Sequence, residues 1–154
     1  MLLKQGAWIF LGGVETLIPK DAKILLKPNL LKKAEVEKAV ITHPVVVGVF
    51  AGILRESGYE NIVLADSCGH GTTQAVIRGT GMDTYLEKYH IPAVDYSEGV
   101  ENCLSAGSPG KGIYPAKRTV GAGLCDSLSK MKTHALERIT GAVKNSYGVC
   151  IWIP

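Results

Sequence analysis

The run "THPVVVGVFAGILRESGYENIVLAD", residues 42–66, constrains the fold more than any other part of the chain. Thr42 is suited to cap a helix, and Pro44 falls in the first turn, where its missing N–H does no harm. The apolar residues that follow predict a helix to about Ser57. Gly58 then stands where a helix ends on a left-handed residue. Residues 61–66, "NIVLAD", read as a short buried strand. A second such run, "KILLK" at 23–27, precedes the helix, and Pro28 closes it because proline has no N–H for a ladder. A strand, a helix and a strand predict a parallel βαβ unit with a right-handed crossover. The expected fold class is therefore α/β: a mainly parallel sheet with βαβ crossover helices in three layers, with residues 1–154 as one domain.

The remaining elements are less sharply written. Residues 3–18 have near-helical apolar spacing with a weak point at Gly12-Gly13, and 31–41 are charged and unassigned. Helices are predicted over 73–78 and 83–89, and a short strand in 91–97. Residues 98–123 are Gly- and Ser-rich and read as loops with one short strand pair. The stretch 127–133 is expected as loop, and 136–147 as helix.

Composition narrows the function classes. Apolar residues make up 46% of the 154 and charged residues 20%, as in a globular domain. A net charge of +3 falls short of a nucleic-acid-binding stripe. The N-terminus lacks the pattern of a signal peptide, with Gly12-Gly13 and Glu15 where a cleavage region would lie. The apolar run at 44–54 is far shorter than the roughly 20 residues of a membrane span. The expected partners thus include neither nucleic acid nor membrane, and the expected location is cytoplasmic. Cys68, Cys103, Cys125 and Cys150 are too dispersed for a C-x-x-C signature. They are expected as free thiols, with no metal ligands assigned.

Ligands of open parallel sheets bind at the carboxyl ends of the strands. Lys27, Pro28 and Asn29 follow the first strand. Asp66, Ser67 and the Gly69-His70-Gly71 loop follow the second, and Thr42 and His43 open the crossover helix, whose N–H groups favour an anion. The run "KMKTHALERITGAVKNSYG", 130–148, brings Lys132, His134 and Lys144. The expected ligand-binding set is Lys27, Asn29, Thr42, His43, Asp66, Ser67, Gly69, Gly71 and Lys144. His134, among lysines that favour its neutral form, and Lys132 are the candidate acid/base pair. "GHGTTQ" is not a Walker loop and lacks the third glycine of a dinucleotide fingerprint.

Several segments, "KILLKPNLL", "ITHPVVVGVFAGILRESGYENIVLADSCG" and "SKMKTHALERITGAVKNSYG", resemble in order and spacing the family called domain of unknown function 362. The resemblance covers most of residues 10–148 and implies a shared site at Lys27, Asn29, Thr42, His43, Asp66, Ser67, Lys132, His134 and Lys144. Many members resemble iron–sulfur proteins with an appended ferredoxin-like module. That module's cysteine motif is missing here, so a cluster is implied for the family but not carried over to this chain. The family's layout also resembles lactate racemase at the level of fold. Members continue past the Lys-Asn-x-x-Gly segment, so 148–154 is expected to be an abnormal or truncated end, with its apolar tail as a contact for a homo-oligomer.

The expected function is binding of a small phosphate- or carboxylate-bearing ligand at the strand ends, with acid/base chemistry there if the protein is an enzyme, which the residues leave open. The alternatives are an iron–sulfur accessory protein without its own cluster module and an inactive oligomeric remnant.

Overall fold

Four short strands run parallel in the order β3-β2-β1-β5. The computed structural model describes residues 12–95, 113–115, 124–134, 136, 138–147 and 150–152. Its elements are β1 (Ile24–Pro28), α1 (Pro44–Glu56), β2 (Ile62–Asp66), α2 (Thr73–Gly79), α3 (Asp83–Lys88), β3 (Ala93–Asp95), β4 (Ile113–Pro115), β5 (Leu124–Leu128), β6 (Lys132–His134), β7 (Arg138–Thr140), α4 (Ala142–Tyr147) and β8 (Cys150–Trp152). β1 pairs with β2 from Ile24↔Ile62 to Leu26↔Leu64, and with β5 from Ile24↔Leu124 to Pro28↔Leu128. β6 and β7 form a separate antiparallel hairpin, and β4 pairs antiparallel with β8.

Alternation along the strands divides the sheet's two faces. Ile24, Leu26, Ile62, Leu64 and Leu128 join one core with Val47, Ala51 and Leu54 of α1, Val76 and Ile77 of α2, and Leu86 of α3. Burying each of the larger aliphatic side chains contributes about 1.5–3 kcal/mol. On the other face Lys27 and Ser127 are register partners. There Asn145 of α4 bonds both residues, which gives the expected three layers.

α1 and α3 approach unusually closely. A Cβ on Gly48 would lie 2.2 Å from Cδ1 of Tyr85, and one on Gly52 would lie 2.7 Å from the Tyr89 hydroxyl. The two glycines, one turn apart on α1, are thus the seats of two tyrosine rings. Arg55 closes the same region: its Nε donates to Tyr89 O at 2.8 Å and its Nη2 to His90 O at 2.7 Å. Gly58 has φ +82°, the left-handed residue expected after the helix.

Four local expectations are corrected. The cap of α1 is His43, whose Nδ1 accepts Val45 N–H at 3.2 Å, not Thr42. Pro28 is the last residue of β1 rather than the residue beyond it. A proline is tolerated there because a terminal strand position does not require its N–H. Residues 127–133 are not simply loop, since β5 extends to Leu128 and β6 begins at Lys132. The expected helix over 136–147 is confined to Ala142–Tyr147, because Arg138–Thr140 pairs with Lys132–His134. The apolar tail has a backbone partner in its own chain, as Cys150–Trp152 pairs with Ile113–Pro115. The apolar spacing at 3–11 and most of 98–123 lie outside the described residues. No helix among the described residues is long and apolar enough to cross a membrane.

Candidate functional site

The chain leaves β1 toward β2 and β3 on one side and later adds β5 on the other. The crevice between the carboxyl ends of β1 and β5 is therefore a topological switch point, where ligands of such sheets bind. A continuous polar network occupies it. Lys27, next to last in β1 and only 1% exposed, pairs its ammonium with the carboxylate of Asp66, the last residue of β2. Lys27 Nζ also donates to Asn145 Oδ1 at 3.1 Å. The second Asp66 oxygen accepts Leu30 N–H at 2.6 Å. Asn145 Nδ2 reaches Ser127 Oγ and Ser129 Oγ, both at 3.2 Å. Two buried opposite charges with this many hydrogen bonds satisfy what low-dielectric burial demands.

Asn29 and Thr42 tie the crevice together. Asn29 N–H donates to Thr42 Oγ1 at 2.8 Å, and that hydroxyl donates to Leu128 O at 2.6 Å. Asn29 Oδ1 accepts Lys130 N–H at 2.7 Å. One threonine and one asparagine thereby clamp the start of α1 between the ends of β1 and β5.

The β2 loop is held differently. His70 N–H donates to Leu31 O at 3.0 Å. Gly69 sits so close to Leu31 that an added Cβ would lie 2.9 Å from its Cδ1. Gly71 takes φ +83°, and Thr72 caps α2 by accepting Ala75 N–H at 3.2 Å. Thr73 bonds Asp66 O and Asp95 Oδ1. Ser67 is exposed in this loop.

Lys132 and His134 lie on β6, two residues apart and on one face of the hairpin. Lys132 is partly buried, and its ammonium is pushed below the usual lysine value, first by desolvation and then by the cations Lys144 and Lys32. His134 Nδ1 accepts Leu136 N–H at 3.3 Å, so a neutral ring carries its proton on Nε2.

Lys27 and Asp66 therefore share one hydrogen-bonded unit with Asn145, Asn29 and Thr42 share a second with Leu128 and Lys130, and His43 stands beside the second at the start of α1. Lys132 and Lys144 are close enough for their like charges to repel. Ser67, Gly69 and Gly71 stand in the neighbouring loop, linked through His70 and Leu31. The charge of Lys27 is already matched by Asp66, whereas the charges that act on the partly buried Lys132 are those of Lys144 and the exposed Lys32. Sequence reasoning placed Asn145 beside Lys144 at this edge but missed Ser127, Ser129 and Lys32. The signal for Asn145 is its place directly after Lys144 in the run 130–148. The two serines and Lys32 carry none.

Cys68 and Cys125 are free thiols, and burial is the first cause that raises the pKa of each. Thiols shifted this way are poorer nucleophiles and metal ligands at neutral pH. Among the described residues no group of three or more His, Cys, Asp or Glu side chains is arranged to hold a metal.

A parallel α/β domain with a buried ion-pair network at its switch point and lysines at the rim is the class that fold and site define. The chain belongs to the family described as domain of unknown function DUF362, which it matches over residues 24–152. It is also similar to the thylakoid-associated protein sll1697 of Synechocystis, at 29% identity over 138 residues. That alignment covers 90% of this chain and 42% of the relative, so the chain spans less than half the relative's length. No solved structure matches the chain.

Proposed function

We propose that the protein binds a small anion, phosphate- or carboxylate-bearing, at the carboxyl ends of β1 and β5. One observation carries this reading. Lys32, Lys132 and Lys144 come from three separate segments, and the charges that act on Lys132 are both cations. Holding like charges together at the switch point of a parallel sheet is unfavourable until an anion enters. Asn29 and Thr42 hold the crevice in shape, and the pair Lys27 and Asp66 supplies a neutral floor.

The chemistry assigned to Lys132 and His134 is proton transfer beside the bound anion. A lysine with a lowered pKa holds a larger neutral fraction near neutral pH and so serves as a base more readily than an ordinary lysine. The location we propose is the cytoplasm. The thylakoid association in the relative's name makes a membrane fraction the competing outcome, and cell fractionation separates the two.

The test is calorimetric titration of the protein with phosphate, sulfate, acetate and citrate, repeated on Lys132→Ala, Lys144→Ala and His134→Ala. The reading expects saturable binding that falls on Lys132→Ala and Lys144→Ala. A variant series that binds these anions as the parent does would overturn it.

A further inference from the structure

The helix that carries Lys144 is not docked by apolar packing. α4 has 6 residues, and a helix this short does not hold its shape alone in water. Docking ordinarily comes from an apolar face turned to the core. Here Ala142, Val143, Lys144 and Ser146 are exposed, and the buried residue among them is Asn145, 4% exposed. Between 142 and 146 the helix therefore turns an amide inward.

That amide is bonded at both ends. Asn145 Oδ1 accepts Lys27 Nζ at 3.1 Å, while Nδ2 reaches Lys27 O at 3.3 Å and Ser127 Oγ and Ser129 Oγ, both at 3.2 Å. Its partners lie on β1, on β5 and just beyond β5. The side chain of Lys27 supplies one of these contacts, so the rest survive its loss. Apolar contacts tolerate repacking, whereas a buried amide with several fixed partners accepts one placement.

The place of Lys144 follows from this. It directly precedes Asn145, and the helical turn below it is closed by Asn145 N–H donating to Gly141 O at 2.9 Å. α4 follows β7, whose Thr140 is the ladder partner of Lys132. We infer that Asn145 is a positioning residue of the anion site: its amide, locked to Lys27, Ser127 and Ser129, holds Lys144 beside Lys132 without touching the ligand. The inference rests on the anion-binding reading above and adds what keeps one of its cations in place.

The experiment is calorimetric titration with sulfate of the parent, Asn145→Ala, Lys144→Ala and the double variant, each checked as folded by far-UV circular dichroism. Lys144→Ala removes one charge-assisted hydrogen bond and should weaken sulfate about 10-fold. Asn145→Ala should give most of that loss with Lys144 still present, and should add less than about twofold once Lys144 is gone. Lys144 also helps lower the pKa of Lys132, after desolvation. In Asn145→Ala, as in Lys144→Ala, sulfate affinity should therefore decline at a higher pH than in the parent, a shift that a purely structural role does not produce.

A folded Asn145→Ala protein that binds sulfate as the parent does, while Lys144→Ala binds weakly, overturns this inference and leaves anion binding intact. Losses that multiply in the double variant, with an unmoved pH profile, overturn it as well, since Asn145 then acts elsewhere. No sulfate binding by the parent removes both readings. Should Asn145→Ala fail to fold, Ser127→Ala/Ser129→Ala keeps both bonds to Lys27 and decides the matter. A weakening that vanishes in the Lys144→Ala background supports the inference, and parental affinity overturns it.

Discussion

Asp66→Ala tests whether the buried network is one unit. The substitution leaves the Lys27 ammonium, 1% exposed, with Asn145 as its recorded side-chain partner, and it strips the acceptor from Leu30 N–H. Removing one partner of a buried ion pair costs about 3–5 kcal/mol. A stranded amide adds about 1–3 kcal/mol where it cannot find water, and the two terms overlap because the loop relaxes. A loss of about 4 kcal/mol is expected. It is a large share of the about 5–15 kcal/mol that holds a domain together. At about 2–4 °C per kcal/mol the midpoint falls by about 8–16 °C. Lys27→Met should cost slightly less, since Asp66 still accepts Leu30 N–H. The decisive measurement is the double variant Lys27→Met/Asp66→Ala, followed by urea denaturation with far-UV circular dichroism and a check that the slopes agree. Both charges are then gone, and the double should cost at least about 2 kcal/mol less than the sum of the singles. Additivity within about 0.5 kcal/mol would mean that the two groups are not coupled. Should Asp66→Ala fail to fold, Asp66→Asn keeps an acceptor for Leu30 and serves the same cycle.

Gly48→Ala places a Cβ 2.2 Å from the Tyr85 ring, and overpacking of this kind costs about 1–3 kcal/mol; thermal melts should show the loss, and adding Tyr85→Ala should abolish the part due to the clash. Thr42→Val removes an acceptor from Asn29 N–H and a donor from Leu128 O, so a loss of about 1–3 kcal/mol in urea is expected, and an unchanged midpoint would refute the clamp. Burial raises the carboxyl pKa of Asp126 above its usual 3.8, so ionising it opposes folding; Asp126→Asn should stabilise at neutral pH, with an advantage that shrinks as pH falls through the raised pKa and vanishes below about 3.8. Lys132 titrates below the usual 10.5 and holds an anion in its protonated form. Sulfate affinity should therefore fall as pH rises through that lowered pKa, whereas retention up to about pH 10.5 would mean that an ordinary surface lysine holds the anion.

The βαβ unit was legible because its signals are local. Two short apolar runs, an apolar helix and Gly58 at φ +82° each announce themselves within a few residues. β5 was not, because "LCDSL" carries Asp126 and Ser127 in its middle and becomes a strand through pairing with β1, about a hundred residues away. The same distance hides the pairing of Asn145 with Lys27, 118 positions earlier. The helix expected over 136–147 failed because Ile139 and Thr140 are β-branched and find a ladder opposite Thr133 and Lys132. Thr42 and His43 compete for the cap of α1. Thr42 is drawn instead to Asn29 and Leu128, contacts that no local pattern displays.

Placement of the charges divides the site between stability and recognition. An anion brought to Lys27 also meets Asp66, and at an effective dielectric of about 20 two unit charges 4 Å apart interact by about 4 kcal/mol in either sense. Attraction to Lys27 and repulsion by Asp66 then largely cancel. The cations at the rim have no such companion among the charges that act on Lys132. Lys27→Met should therefore lower stability while leaving the affinity of the folded fraction for sulfate near that of the parent. Lys132→Met should do the opposite, because removing a desolvated like charge relieves the apo protein and takes away what the anion binds. A Lys27→Met protein that folds fully and yet loses sulfate affinity would place the ligand inside the network rather than at its rim.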